Sequence, residues 1–209
     1  MTRTTRILLL RHGQSEWNSA GRWQGRADIG LSALGRRQAA DAGRALLAFG
    51  QTTTPIASVW ASPLARAYET ARIVATVLGI DPVHPDERLV ETDAGPWEGL
   101  THHEIHATWP GYLDDHRRPD GFEPLELVLE RAVGVLVDIA AAGADGQPLA
   151  ITHAGLIRTL LREIGLADAP VPNLTGWMFD VTGDNVVPME AFDPGAATID
   201  RRSTTPTLG

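Results

Sequence analysis

The chain has 209 residues, 43% of them hydrophobic, which is enough apolar material for a real core in an ordinary globular protein. Its 26 acidic and 18 basic side chains leave a formal net charge of −8, a balance that argues against a general nucleic-acid or anionic-membrane binder, because those partners demand a basic face. There is no Cys, so disulfides, thiolate nucleophiles and Cys-based metal sites are excluded together.

All the basic residues are Arg, a bias that a GC-rich genome produces unaided. It has one chemical consequence: any permanent cation that clamps an anionic substrate here is an Arg. Before Arg11 there are only four consecutive apolar residues, Ile7 to Leu10. A signal peptide needs an apolar core of roughly 7–15 residues and a membrane span about 20, so the sequence reads as cytoplasmic.

Along the chain, apolar runs of strand length alternate with stretches of helical period. That alternation predicts βαβ units and a mainly parallel sheet. Ile7 to Leu10 is a buried strand. Ser32 is an N-cap for a helix to about Phe49, with Leu34, Gln38, Ala42, Ala45 and Phe49 along one side. Val59 to Ala61 is the second strand, and Ser62 and Pro63 follow as N-cap and first helical residue. The helix after them carries Leu64, Ala67, Tyr68, Ala71, Val74 and Leu78 at helical spacing, and Gly79 closes it. Residues 81 to about 124, richer in Pro, His and charge, form an irregular excursion with one short helix near Thr101 to Trp109. Pro124 opens a long helix to about Gly143. Leu149 to Thr152 is a third buried strand, with a helix from Leu156 to Ile164, and one or two late strands begin near Trp177. The polar stretch from about 200 to 209 is expected to be disordered. With no internal repeat and no linker-like segment, residues 1–209 are taken as one domain.

Three of these strands end in polar residues with no obvious structural reason to be there. The first ends in Arg11-His12-Gly13, the second in Ser62-Pro63-Leu64-Ala65-Arg66, the third in Thr152-His153-Ala154-Gly155. In an open α/β sheet the functional crevice lies outside the carboxyl ends of the strands, which would bring two Arg and two His into one cleft. Such a cluster suits a tetrahedral anion. Arg offers a planar fork that pairs with phosphate bidentately and keeps its charge. His is neutral near pH 7, can attack phosphorus, and then departs as a good leaving group.

The segment Arg11-His12-Gly13-Gln14-Ser15-Glu16-Trp17-Asn18, followed by Gln24-Gly25, resembles the N-terminal motif of the histidine phosphatase superfamily, the phosphoglycerate mutase-like proteins of branch one. The resemblance continues through Leu31-Ser32-Ala33-Leu34-Gly35-Arg36-Arg37-Gln38-Ala39, Ser62-Pro63-Leu64-Ala65-Arg66-Ala67, Arg88-Leu89-Val90-Glu91-Thr92-Asp93-Ala94-Gly95-Pro96-Trp97-Glu98-Gly99 and Thr152-His153-Ala154-Gly155-Leu156-Ile157-Arg158. These blocks span most of residues 6 to 165 in the family's order. The resemblance implies a three-layer α/β/α fold with a mostly parallel central sheet flanked by helices. It implies a phosphomonoester hydrolase in which His12 is phosphorylated, Arg11, Arg66 and His153 complete the phosphate pocket, and Glu91 is the general acid. By the same resemblance Asn18, Ser15, Gln24 and Gly25 line that pocket, and Ala154 adjoins it, its methyl tolerated if only the backbone N–H faces phosphate. No metal and no other cofactor is implied. The partner is a small-molecule phosphomonoester, with no nucleic acid and no membrane, and a homodimer is left open.

Other readings stay beside this one. Taken alone, Glu91 is one acid in an acidic segment. A phosphoglycerate mutase would be longer, with more basic residues between Glu91 and the second His, and Asn where Gly155 stands; here the 101–124 segment has only Arg117 and Arg118. His102 and His106 share a helix face at a spacing that suits a metal, although the zinc-protease pattern fails at Ala107. Trp97, Trp109 and Tyr112 serve either to stack on a sugar or to pack. The run from Glu91 to His102 is similar to that of actinobacterial glucosyl-3-phosphoglycerate phosphatases, which points to a sugar phosphate or glucosyl-3-phosphoglycerate type of substrate. α-Ribazole phosphatases share enough of the pattern to remain an alternative.

Overall fold

A computed structural model describes residues 3–143, 145–162, 165–166 and 170–197. The expected disordered tail lies outside the described residues. The strands are β1 (Thr4–Arg11), β2 (Ile56–Ala61), β3 (Val83–Pro85), β4 (Gln147–Thr152), β5 (Gly176–Thr182) and β6 (Asn185–Phe192). The helices are α1 (Glu16–Ser19), α2 (Ala33–Gly50), α3 (Ala65–Leu78), α4 (His102–Thr108), α5 (Leu125–Ala141), α6 (Ala154–Arg162) and α7 (Pro194–Ala197), with short 3-10 turns at Glu87–Leu89 and Gly95–Trp97. No described helix is long and apolar enough to cross a membrane.

The strands form one sheet in the order β3-β2-β4-β1-β5-β6. β3, β2, β4 and β1 run parallel, while β5 and β6 are antiparallel additions. Alternation along β1 sends Ile7 and Leu9 to one face and Leu8 and Leu10 to the other. Ile7, Leu9 and Ala150 pack with Leu136 and Ile139 of α5 and Leu156 and Leu160 of α6. Leu8, Leu10, Leu149 and Ile151 pack with Leu46 of α2 and Ala67, Ala71 and Val74 of α3. Helices therefore cover both faces, which is why β1 and β4 read as unbroken apolar runs. The result is the three-layer α/β/α arrangement expected for the chain.

Register decides where the polar strand ends fall. Leu10 stands level with Ile151, Ile151 with Ala61, and Arg11 with Thr152. Residues following the three strands consequently emerge side by side on one edge of the sheet. Backbone bonds continue the alignment past the strands, with His12 N–H donating to Thr152 O at 2.9 Å and Ser62 N–H to Ile151 O at 3.0 Å.

Two expectations need correction. The helix after β2 begins at Ala65, not at Pro63, and Ser62 is not its N-cap. Asp28 caps it from a distant loop, its Oδ1 accepting the Ala65 N–H at 2.6 Å, which frees Ser62 for the site. In α2 the buried stripe is Gly35, Ala39, Ala42, Gly43 and Leu46, while Leu34 is 42% exposed. Small residues win there because α2 packs close against α3, with Val77 facing Gly43. β3 has no counterpart among the expected strands, since three residues carry too little periodicity to read.

The excursion after β3 has its own small core. Trp97, Ala94 and Ile105 are buried, with Trp23, Trp109, Tyr112 and Phe122 packed around them. Arg131 on α5 anchors its start: Nη1 donates to the carbonyls of Arg88 and Val90 at 2.8 and 2.6 Å, and Nη2 to that of Glu91 at 3.2 Å. The same guanidinium pairs with Glu123, 3.1 Å away and nearly as buried. Removing one partner of a buried pair costs about 3–5 kcal/mol, because the other charge is stranded. Arg131→Met should therefore lower the unfolding free energy by about 3 kcal/mol or more in urea denaturation, and a loss below about 1 kcal/mol would show that the guanidinium does not hold this segment.

Candidate active site

His12, Arg66 and His153 meet at the aligned strand ends. His12 is 2% exposed, and Arg66 and His153 are fully buried. The two imidazole centroids lie 5.0 Å apart at an interplanar angle of 60°. His12 Nδ1 is 2.6 Å from the Gly13 carbonyl. A carbonyl only accepts, so Nδ1 carries the proton of the neutral ring and Nε2 keeps its lone pair. His153 Nε2 is bound to Ser62 Oγ at 2.8 Å. The serine expected to cap a helix instead orients an imidazole.

Arg66 sits in the first turn of α3, its Nη1 and Nη2 donating to the carbonyls of Ala27 and Gly25 at 2.7 and 2.8 Å. Gly25 adopts φ +50°, and a Cβ there would meet the Ala94 nitrogen at 2.8 Å, so the loop presenting that carbonyl requires glycine. Arg11 Nη1 donates to Val171 O at 2.9 Å. Five buried side-chain nitrogens lack a protein partner among the described residues, and three of them are Arg11 Nε, Arg66 Nε and His153 Nδ1. Unsatisfied buried donors are rare in native structures, and the two guanidinium Nε–H groups left open here mark a place for an anion.

These elements open into a cleft of about 840 Å³. Arg11, Asn18, Gln24, Gly25, Glu91 and Ala154 line it. His12, Arg66 and His153 are buried behind that lining. Ser15, expected on the lining, is fully buried instead. Its hydroxyl donates to Gln24 Oε1 at 2.6 Å and accepts the Asn18 N–H at 3.0 Å. Asn18 Oδ1 accepts in turn from Ser15 N–H and from Asn173 Nδ2, at 3.2 and 3.3 Å. With their oxygens engaged, both amides present NH₂ groups to the cleft, which suits an anion. Asn173 also holds the His12 carbonyl at 2.9 Å, and no sequence pattern singles it out.

Glu91 enters from the segment anchored by Arg131. Its Oε2 accepts the Gly155 N–H at 3.2 Å, and its Oε1 the Thr92 N–H at 2.9 Å. The first of these places the Glu91 carboxyl group at the N-terminus of α6. A Cβ at Gly155 would collide with this carboxylate, so glycine is needed for Glu91 to occupy its position. Of the aromatic residues considered for stacking, Trp97 is fully buried and Trp109 and Tyr112 pack around it; Trp23 lines the cleft in their place. The His cluster divides: His102 and His103 line the cleft, while His106 lies 4.0 Å from Asp114.

Burial, and after it the charges of Arg66 and Arg11, holds the His12 pKa well below the ordinary histidine value. His153 is depressed for the same reasons, burial first and Arg66 next. Burial also lowers Arg11 to about 10. The fold thus keeps a neutral imidazole, with its Nε2 lone pair available, beside cations that would draw in a phosphate.

The sequence model of the histidine phosphatase superfamily (branch 1) matches residues 7–198. The chain is 38% identical over 183 residues to the glucosyl-3-phosphoglycerate phosphatase of Mycolicibacterium vanbaalenii, covering 82% of this chain and 78% of that one. It is 30% identical over 164 residues to phosphoserine phosphatase 1 of Hydrogenobacter thermophilus, covering 74% of each. The native structure of a mycobacterial glucosyl-3-phosphoglycerate phosphatase superposes with a TM-score of 0.71 at 32% identity, over 85% of this chain and 91% of that one. The chain belongs to branch one of the histidine phosphatase superfamily and is a phosphatase.

The depressed imidazoles set a pH dependence of stability. The unfolded chain takes up protons on His12 and His153 as pH falls through about 6.5, whereas the folded chain resists them. Stability contributed by keeping these rings neutral is therefore complete above about pH 6.5 and is lost below it, at about 1.4 kcal/mol per pH unit for each ring until the folded pKa is reached. Urea unfolding between pH 7 and pH 5.5 should show a shallower loss in a His12→Gln/His153→Gln double variant than in the parent; equal slopes would mean that the rings are not held neutral.

Proposed function

We propose that this phosphatase works through a phosphohistidine at His12, with Glu91 as general acid and then general base, on a small phosphorylated metabolite of the sugar phosphate or glucosyl-3-phosphoglycerate type. The observation that carries this reading is the neutral, Nδ1-protonated His12 set among the unpartnered guanidinium N–H groups of Arg11 and Arg66 and beside His153. His12 Nε2 attacks phosphorus as the P–O bond to the alcohol breaks. Glu91 gives its proton to the departing alkoxide, so the alcohol leaves neutral. The deprotonated Glu91 then takes a proton from water, whose oxygen attacks the phosphohistidine; the P–N bond breaks and inorganic phosphate is released.

The arginines and amide donors spread the charge on the phosphoryl oxygens, and in such a transfer this charge stabilisation supplies most of the rate enhancement. A hydrolase rather than a mutase fits the Gly at position 155, where the mutase pattern has Asn, and the short 101–124 segment, which has only Arg117 and Arg118 as permanent cations. The substrate assignment draws on the relatives that hydrolyse glucosyl-3-phosphoglycerate and on a cleft large enough for a sugar beside Trp23.

A panel of phosphomonoesters, including sugar phosphates, phosphoglycerates and α-ribazole phosphate, ranked by kcat/KM, would identify the alcohol. His12→Ala should abolish turnover and the acid-labile phosphate trapped on the parent; full activity in that variant would remove the nucleophile assignment. Glu91→Gln should slow alkyl phosphates by about 10²–10⁴-fold, and p-nitrophenyl phosphate far less, since its phenolate departs without a proton. Gly155→Ala should shift turnover in the same leaving-group-dependent direction by displacing the acid. An equal loss on both kinds of ester would count against Glu91 as the proton donor.

A further inference from the structure

The tautomer of His12 rests on one carbonyl, that of Gly13, and glycine has the least constrained backbone of any residue. Position 13 has no room for another residue. A Cβ there would stand 2.7 Å from the Gly35 carbonyl oxygen and 3.2 Å from Leu174 Cδ2. The residue that aims this carbonyl therefore cannot hold it through a side chain or a dihedral preference of its own. The constraint has to act on the peptide groups to either side.

Both of those peptides are held, by side chains from three separate parts of the chain. The His12–Gly13 peptide is gripped at each end: its oxygen accepts from Asn173 Nδ2 at 2.9 Å, and its N–H donates to Thr70 Oγ1 at 3.1 Å. The Gly13–Gln14 peptide carries the carbonyl itself, and its N–H donates to Gln38 Oε1 at 2.9 Å. A trans peptide is planar, with N–H and C=O pointing opposite ways, so holding the N–H directs the oxygen. Gln38 thus sets, from α2, where the acceptor for His12 Nδ1 lies.

The supports are themselves constrained. The Thr70 hydroxyl gives its proton to the Arg66 carbonyl one turn back on α3, at 2.7 Å, so only its lone pairs are left for Gly13. Asn173 uses its amide nitrogen twice, the second time on Asn18 Oδ1 at 3.3 Å. Its loop is tied to the end of β1, with Leu174 N–H donating to the Arg11 carbonyl at 3.0 Å and Arg11 N–H to the Thr175 carbonyl at 2.9 Å. Leu174 sits at φ 59°, a left-handed conformation that persists only where the surroundings impose it. Thr70 is fully buried, and none of Gln38, Thr70 and Asn173 lines the cleft.

We propose that Gln38, Thr70 and Asn173 are positioning residues for the nucleophile: together they lock the two peptides after His12, so that Gly13 takes the Nδ1 proton and Nε2 keeps the lone pair that attacks phosphorus. This rests on His12 as the nucleophile. Either nitrogen of a neutral imidazole can carry the proton. With the proton on Nε2, the ring would turn a hydrogen toward phosphorus instead of a lone pair.

The test reads the tautomer directly, by NMR of isotopically labelled histidine nitrogens, whose shifts separate a protonated ring nitrogen from a bare one. The chain has 7 His, and the His12 signals are those lost in His12→Gln. The parent should carry its proton on Nδ1. A Gln38→Met/Thr70→Val variant removes two acceptors with little change in size, and should populate the Nε2-protonated form. Its kcat and kcat/KM should fall together by about tenfold or more, with KM little changed, because the loss lies in the transition state. Gln38→Glu/Thr70→Ser keeps both acceptors and should restore the parent tautomer and most of the turnover. If the first double variant does not fold, Gln38→Met alone, at a half-buried position, carries the test. A parent protonated on Nε2, or a loss of turnover with the tautomer unchanged, overturns the lock. The spectrum does not depend on turnover. Absence of acid-labile phosphate on the parent would therefore remove the nucleophile reading while the tautomer still decides whether the lock exists.

Discussion

Level termination of three adjacent parallel strands is the constraint on which the site depends. With Leu10, Ile151 and Ala61 in register, the next residues of β1, β4 and β2 have only one place to go, and it is shared. His12, His153 and Ser62 become neighbours without any loop having to be shaped for the purpose. Arg66 follows because α3 starts at Ala65, where Asp28 supplies the cap. A shift of one residue in the β1–β4 pairing would turn the alternating apolar residues to the wrong faces and separate the imidazoles at the same time. Core packing and site assembly are thus enforced by the same contacts.

Burial of positive charge is the cost of this arrangement. Two guanidiniums and two imidazoles sit close together with little solvent, and the fold manages them differently. The arginines keep their charge and are held by the carbonyls of Val171, Ala27 and Gly25. The imidazoles give theirs up, because burial and the nearby cations both oppose protonation. The Gly13 carbonyl then selects which nitrogen of His12 retains the remaining proton. The same cations that would attract an anion help to leave the Nε2 lone pair of His12 unprotonated.

Glu91 illustrates how much support one carboxylate requires. Its backbone carbonyl is tied to Arg131, its side chain to the amides of Thr92 and Gly155, and the absence of a Cβ at Gly155 leaves it room. The excursion that carries it has its own aromatic core, which also seats Arg118. Packing between Trp97, Trp23 and Phe122 therefore does more than close the fold; it fixes the wall of the cleft.

Much of this was legible in the sequence. Apolar runs at 7–10 and 149–152 give strands buried on both faces, and the polar residues after them mark the functional edge, because the period of a strand and the rule for parallel sheets are local and general. Arg11, His12, Arg66 and His153 stand at those strand ends, and the resemblance to the histidine phosphatase superfamily adds Glu91, which taken alone is one acid in an acidic segment. Other features were not legible, because they depend on residues far apart in the chain. Ser62 reads as a helix cap until Asp28, from another loop, takes that role. Ser15 reads as a pocket residue until Gln24 and Asn18 cover it. Asn173 and Arg131 have no local signature, and the tautomer of His12 is fixed by one carbonyl distance. Arg158 and Arg162 share a face of α6 by their spacing, but only tertiary structure brings Arg118 into the same cleft. The sequence by itself determined the long elements and the chemistry available, because their periodicity is local; the fold decided which groups meet, which stay buried, and which charge is left without a partner.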